Sequence, residues 1–113
     1  MNRFQLVVPA AIIGLAIAAE ARAETPGLQW GFDFRPINTA ECVRRAQEII
    51  AVMGFQVTTD GELVAGSGPN VAVLVDCPSV PQGVHILVVG ASPDSTLAER
   101  TRNEVRIAVM RSP

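Results

Sequence analysis

The chain has no lysine, a single histidine (His85) and two cysteines (Cys42 and Cys77). It also lacks any internal repeat or low-complexity stretch. Each absence removes a class of function. Without lysine every positive charge is an arginine, and the arginines are dispersed among acids. No basic block exists to neutralise a row of phosphates, so neither nucleic acid nor an anionic lipid surface is an expected partner. One histidine leaves a metal site to be built from His85, a cysteine and Asp76, whereas structural zinc normally takes four such ligands. No metal or cofactor is expected. There is no C-x-x-C pair for dithiol chemistry. The segment Gly90-Ala91-Ser92-Pro93-Asp94 lacks the second glycine of a G-x-S-x-G elbow, and it lacks the lysine and further glycines of a phosphate loop.

What is present begins with Arg3, the nearly all-apolar residues 6–19, and Ala21-Arg22-Ala23. That order reads as a secretory signal peptide over residues 1–23, cleaved before Glu24. The apolar run is shorter than the roughly 20 residues of a membrane span, and no cysteine follows it to carry a lipid. The expectation is a periplasmic or secreted protein with no membrane attachment after cleavage. The mature part, residues 24–113, carries seven arginines against ten acidic residues. Its length implies one small domain, of the size that gains from a covalent staple. In an oxidising compartment two cysteines allow one intramolecular pairing, Cys42 to Cys77.

Leu28, Trp30, Phe32 and Phe34 alternate with Gln29, Gly31, Asp33 and Arg35, the period of a half-buried strand. Pro36 stops it. Asn38 is placed to cap a helix, with Glu41 three residues on and Ile37 available as a staple. Cys42, Val43, Ala46, Ile49, Ile50 and Met53 then recur at helical spacing, and Gly54 marks the end. Phe55 to Thr58 reads as a strand, Asp60-Gly61 as a hairpin turn, and Glu62 to Ala65 as its weaker return. Gly66 to Asn70 reads as a loop. Val71 to Val75 and Val84 to Val89 are β-branched runs with the pattern of central strands. Ser92-Pro93-Asp94 reads as cap, first-turn proline and first-turn acid of a final helix. Leu97, Ala98, Thr101, Val105, Ala108 and Val109 form its apolar face, and Ile107 and Met110 fall off it. Arg44, Arg45, Arg100, Arg102, Arg106 and Arg111 are interspersed with Glu41, Glu48, Glu99 and Glu104, as on solvated helix faces.

The expected fold is α+β: one mostly antiparallel sheet of 4–5 strands with two helices on one face, in the order β-α-β-β-β-β-α. The strands holding Phe32 and Phe55 are candidates for parallel neighbours across a helical crossover.

Three functional readings follow. The leading one is a non-enzymatic binding or structural module, whose partner, protein or small molecule, and whose oligomeric state no motif specifies. Its candidate interface is the row Trp30, Phe32 and Phe34, which is either core or, on an edge strand, a surface for a partner. The second is a small hydrolase or thiol enzyme using Cys77, His85 and Asp76, which flank one turn; oxidation of Cys77 would abolish it. The third is a secreted inhibitor that uses the aromatic strand.

Cys42-Val43-Arg44-Arg45-Ala46, Met53-Gly54-Phe55, Val73-Leu74-Val75-Asp76-Cys77 and Val88-Val89-Gly90 together resemble small exported bacterial two-cysteine proteins of unknown function. The resemblance implies export and a disulfide-linked α+β domain, and it carries no catalytic residue.

Overall fold

The computed structural model describes residues 27–112, and side chains within the first strand from Asp33 onward. The signal-peptide reading of residues 1–23 therefore lies outside the described residues. The elements run β1 (Gly27–Arg35), α1 (Thr39–Val52), β2 (Gln56–Asp60), β3 (Leu63–Ser67), β4 (Ala72–Asp76), β5 (Ser79–Val80), β6 (Gly83–Ser92) and α2 (Ser95–Arg111). All strands join one antiparallel sheet in the order β1-β6-β4-β3-β2, with the two-residue β5 also on β6. This is the α+β fold expected. The parallel β1–β2 pairing is not formed: those strands occupy opposite edges, because β6, the longest strand, takes the place beside β1.

Local chemistry sets most of the element ends. The Asn38 carboxamide oxygen accepts from the Glu41 N–H at 2.8 Å and starts α1. At the other end Gly54, at φ +94°, lets the chain reverse. The Gly54 N–H then reaches the Ala51 carbonyl at 3.0 Å and the Phe55 N–H reaches that of Ile50 at 3.2 Å. That pair of bonds is a Schellman closure, which satisfies carbonyls the helix leaves open. The β2–β3 loop is Gly61-Glu62, with φ +60° at the glycine, as type II′ hairpins prefer.

Strand ends shift from expectation by one to three residues in several places, and two differences have a clear physical cause. β3 continues through Gly66 and Ser67, where composition suggests a loop. Packing decides this, since a Cβ on Gly66 would lie 2.5 Å from Ile50 Cγ2, so the bare glycine lets α1 sit close on the sheet. The cap of α2 is Asp94, whose carboxylate accepts from the Thr96 and Leu97 N–H groups at 3.0 and 3.2 Å. Ser92 instead ends β6; its hydroxyl donates to the Asn70 carbonyl at 2.7 Å and accepts from the Asp94 N–H at 3.1 Å.

Both helices cover the same face of the sheet. The core beneath them joins Cys42, Ala46 and Ile50 of α1 and Val105 and Val109 of α2 to the sheet. From the sheet come Val64, Val73, Val75, Cys77, Val84, Ile86 and Val88, each alternate along its strand. Period-two alternation therefore commits one side of every central strand to the core. Cys42 and Cys77 are fully buried and joined by a disulfide, with 6.1 Å between Cα atoms. The Thr39 hydroxyl adds a 2.8 Å bond to the Cys77 carbonyl, fastening the start of α1 to the same strand end.

The arginines do not all behave as a solvated face. Arg44 is exposed and pairs with Glu41 and Glu48. Arg45 is 9% exposed, bonded through Nε to Glu41 at 2.8 Å and through a terminal nitrogen to the Ser112 carbonyl at 2.5 Å. Arg35, from β1, donates to the Val109 and Ser112 carbonyls at 2.9 and 2.8 Å. Two guanidinium groups thus converge on the carbonyl end of α2, where unpaired acceptors and the helix dipole both favour positive charge. The helical spacing of Arg45 hides this role because its partner comes from the far end of the chain. Met110 packs against the core, whereas Ile107 remains 42% exposed.

Candidate binding face

The sheet has a second side that no described element covers. Residues paired across antiparallel strands share a face, so the register assigns every position. Val84 and Ile86 belong to the core side, and their β1 partners Arg35 and Asp33 reach α2. The intervening β1 positions therefore lie on the helix-free side: Leu28 opposite Ala91, Trp30 opposite Val89, Phe32 opposite Leu87, and Phe34 opposite His85. Leu74 and Asp76 of β4 and Leu63 and Ala65 of β3 continue this face inward. Leu63, Ala65, Leu74, Leu87 and Val89 are half-buried, in contrast to the fully buried valines on the core side.

Phe34 is 47% exposed, and its ring meets the His85 ring edge-on, with centroids 6.4 Å apart. β1 is an edge strand, the condition under which an aromatic row is available to a partner. The register thus sets the Trp30 and Phe32 positions in line with an exposed phenylalanine, beside the aliphatic positions Leu63, Leu74, Leu87 and Val89. The clefts found among the described residues are shallow, from about 220 to about 340 Å³.

One acid interrupts the face. Asp76 sits between Leu63 and Leu87, and its Oδ1 is buried without a hydrogen-bond partner. Burial first, and then the adjacent Glu62 carboxyl, pushes the Asp76 carboxyl up to about 7; only the Cys77 backbone N–H acts the other way. Glu41 shows the reverse: hydrogen bonds from Arg44 and Arg45 hold it down at about 2.

The Cys77, His85 and Asp76 set is not assembled. Cys77 is in the disulfide and faces the core, while Asp76 and His85 lie at positions on the other side of the sheet. Asp76 ends β4 on the helix-free side, and Cys77 just beyond it is held in the core by its bond to Cys42, so the two side chains do not converge. Among the described residues no group of three or more histidine, cysteine or acidic side chains is placed to hold a metal ion. None of the described helices is long and apolar enough to cross a membrane.

Sequence reasoning pairs the cysteines and singles out the Trp30, Phe32 and Phe34 row. It misses Leu63, Leu74, Leu87 and Val89 as part of the same surface. The available signal is the alternation within each run, but parity alone does not say which side the helices take. No family model matches the chain, and no curated protein matches it.

Proposed function

We propose that this is an exported, disulfide-stapled domain that acts by binding a protein, and that the helix-free face of its sheet is the contact surface. The observation that carries the reading is the one-sided covering of the sheet, with Phe34 exposed at the edge of its bare apolar side. The buried disulfide supports an oxidising compartment, where such bonds persist. A largely apolar face with exposed acids beside it, Asp60 and Glu62, fits a partner offering aromatic or aliphatic side chains flanked by basic ones. Export and the absence of catalysis belong to this proposal.

The test is site-specific photo-crosslinking in the producing cell, with the mass of the exported protein read in parallel. A photoreactive residue at Leu74 or Val89, on the inner strands of the face, should trap a protein other than the chain itself. The same residue at Glu99 or Glu104, on the exposed side of α2, should not. Equal trapping at both sets, or trapping from α2 alone, would refute the assignment of the face. A product that keeps residues 1–23 or stays in the cytoplasm would refute export.

A further inference from the structure

The two edges of the sheet are built differently. β2 is short, and Gln56, Thr58, Thr59 and Asp60 are exposed. Its polar side chains and terminal acid blunt that edge against strand addition. β1 runs nine residues, is paired residue for residue with β6 along its whole length, and contains no proline, lysine or bulge. Its charged residues do not guard the edge. Asp33 is engaged by Arg106 through bonds of 2.6 and 3.2 Å, and Arg35 is committed to the carbonyl end of α2. Among the described residues nothing pairs with the outer side of β1.

The β1 sequence is also complementary to itself. Laid antiparallel against a second copy about a two-fold axis at Gly31, Leu28 falls opposite Phe34 and Trp30 opposite Phe32, and each pair occurs twice. On the helix side Gln29 falls opposite Asp33, Gly27 opposite Arg35, and Gly31 opposite itself, so no like charges meet. A shift of one residue would join the bare face of one copy to the helix-covered face of the other.

We propose that two copies of the chain associate edge to edge through β1, forming one continuous antiparallel sheet ten strands across. The contact is isologous, as a closed two-fold dimer requires. Nine opposed residue pairs supply roughly eight to ten backbone hydrogen bonds, since hydrogen-bonded pairs alternate and exchange two each. The positions of Trp30, Phe32 and Phe34 in the two copies then fall on the same side of the continuous sheet. This inference stands whether or not that face binds a further protein.

Two double variants test it: Trp30→Glu with Phe32→Glu, and Trp30→Lys with Phe32→Lys. In the proposed register positions 30 and 32 oppose each other, so each variant sets like charges together and the mixture sets unlike charges together. Native mass spectrometry and sedimentation of the oxidised parent should give twice the chain mass. Each variant alone should give a monomer with unchanged far-ultraviolet circular dichroism, and an equimolar mixture should restore a dimer containing one of each. In the parent, amide exchange over residues 28–34 should slow as concentration rises, a readout that does not depend on either variant folding. A parent that is monomeric at its highest soluble concentration overturns the proposal and leaves the edge to a foreign strand. Variants that remain dimeric alone, or a mixture that stays monomeric, overturn it as well.

Discussion

Loss of the Cys42–Cys77 disulfide should cost this domain about a third of its stability or more. The bond closes a sequence separation of 35 residues. In the loop-entropy account that closure removes about 4 kcal/mol of unfolded-state freedom. A domain of this length has a total stability of roughly 4–13 kcal/mol. Both sulfurs are fully buried between α1 and β4, so Cys42→Ala with Cys77→Ala also leaves a void, adding about 1 kcal/mol per site. The measurement is guanidinium denaturation of three samples followed by far-ultraviolet circular dichroism: the oxidised parent, the reduced parent and the double alanine variant. For a small domain the loop term corresponds to a midpoint shift of about 1.5–2 M on reduction, with a further loss in the alanine variant. A reduced parent whose midpoint lies within about 0.5 M of the oxidised one, at equal slope, would refute the reasoning. It would mean that the reduced unfolded chain already keeps the two cysteines near each other, so that the bond removes little freedom.

Two further outcomes follow from the charged groups. The Asp76 carboxyl is pushed up to about 7 in the fold, whereas the unfolded chain releases that proton near the usual value of about 4. The native state therefore binds more protons through that window, and this group makes stability fall as pH rises from about 4 to about 7. Asp76→Asn should remove the slope and be more stable than the parent above about pH 7 in urea titrations; a parent with the flatter profile would contradict this. Glu41, held at about 2, acts with the opposite sign. Its contribution is present above the usual carboxylate range and is lost as pH falls towards about 2, so Glu41→Gln should be less sensitive to acid than the parent. Arg45→Ala should cost about 1–2 kcal/mol, because it removes the bonds of a buried guanidinium to Glu41 and to the Ser112 carbonyl, while Arg44 and Arg35 keep those acceptors paired. Arg44→Ala, on the exposed side of the same helix, should leave the thermal midpoint nearly unchanged. Equal losses from the two arginines would overturn the distinction.

Local chemistry makes much of this molecule readable from residues alone. Asn38 and Gly54 bound α1 because capping and a left-handed turn need only neighbours in the chain. The β-branched runs around Val73 and Val88 announce central strands because a strand buried on one side must repeat apolar residues at every second position. The disulfide is legible because two cysteines leave one pairing. The Asp94 cap is a near miss: Ser92, Pro93 and Asp94 all suit a helix start, and the choice among them rests on Asn70, which holds Ser92 at the end of β6.

Strand order, the covered side of the sheet and the partners of distant charges belong to the tertiary structure. Alternation says that each strand has two unlike sides, and it is silent on which neighbour supplies the next strand. Only with β6 beside β1 do Asp33 and Arg35 come under α2, and the Trp30, Phe32 and Phe34 positions pass to the bare side. The same pairing separates Cys77 from Asp76 and His85, which lie close along the chain yet are divided by the sheet. A contact between residues some seventy positions apart, such as Arg35 with Val109 or Arg45 with Ser112, has no period or spacing to announce it. It exists because packing both helices on one face brings the last turn of α2 to the end of β1 and the middle of α1.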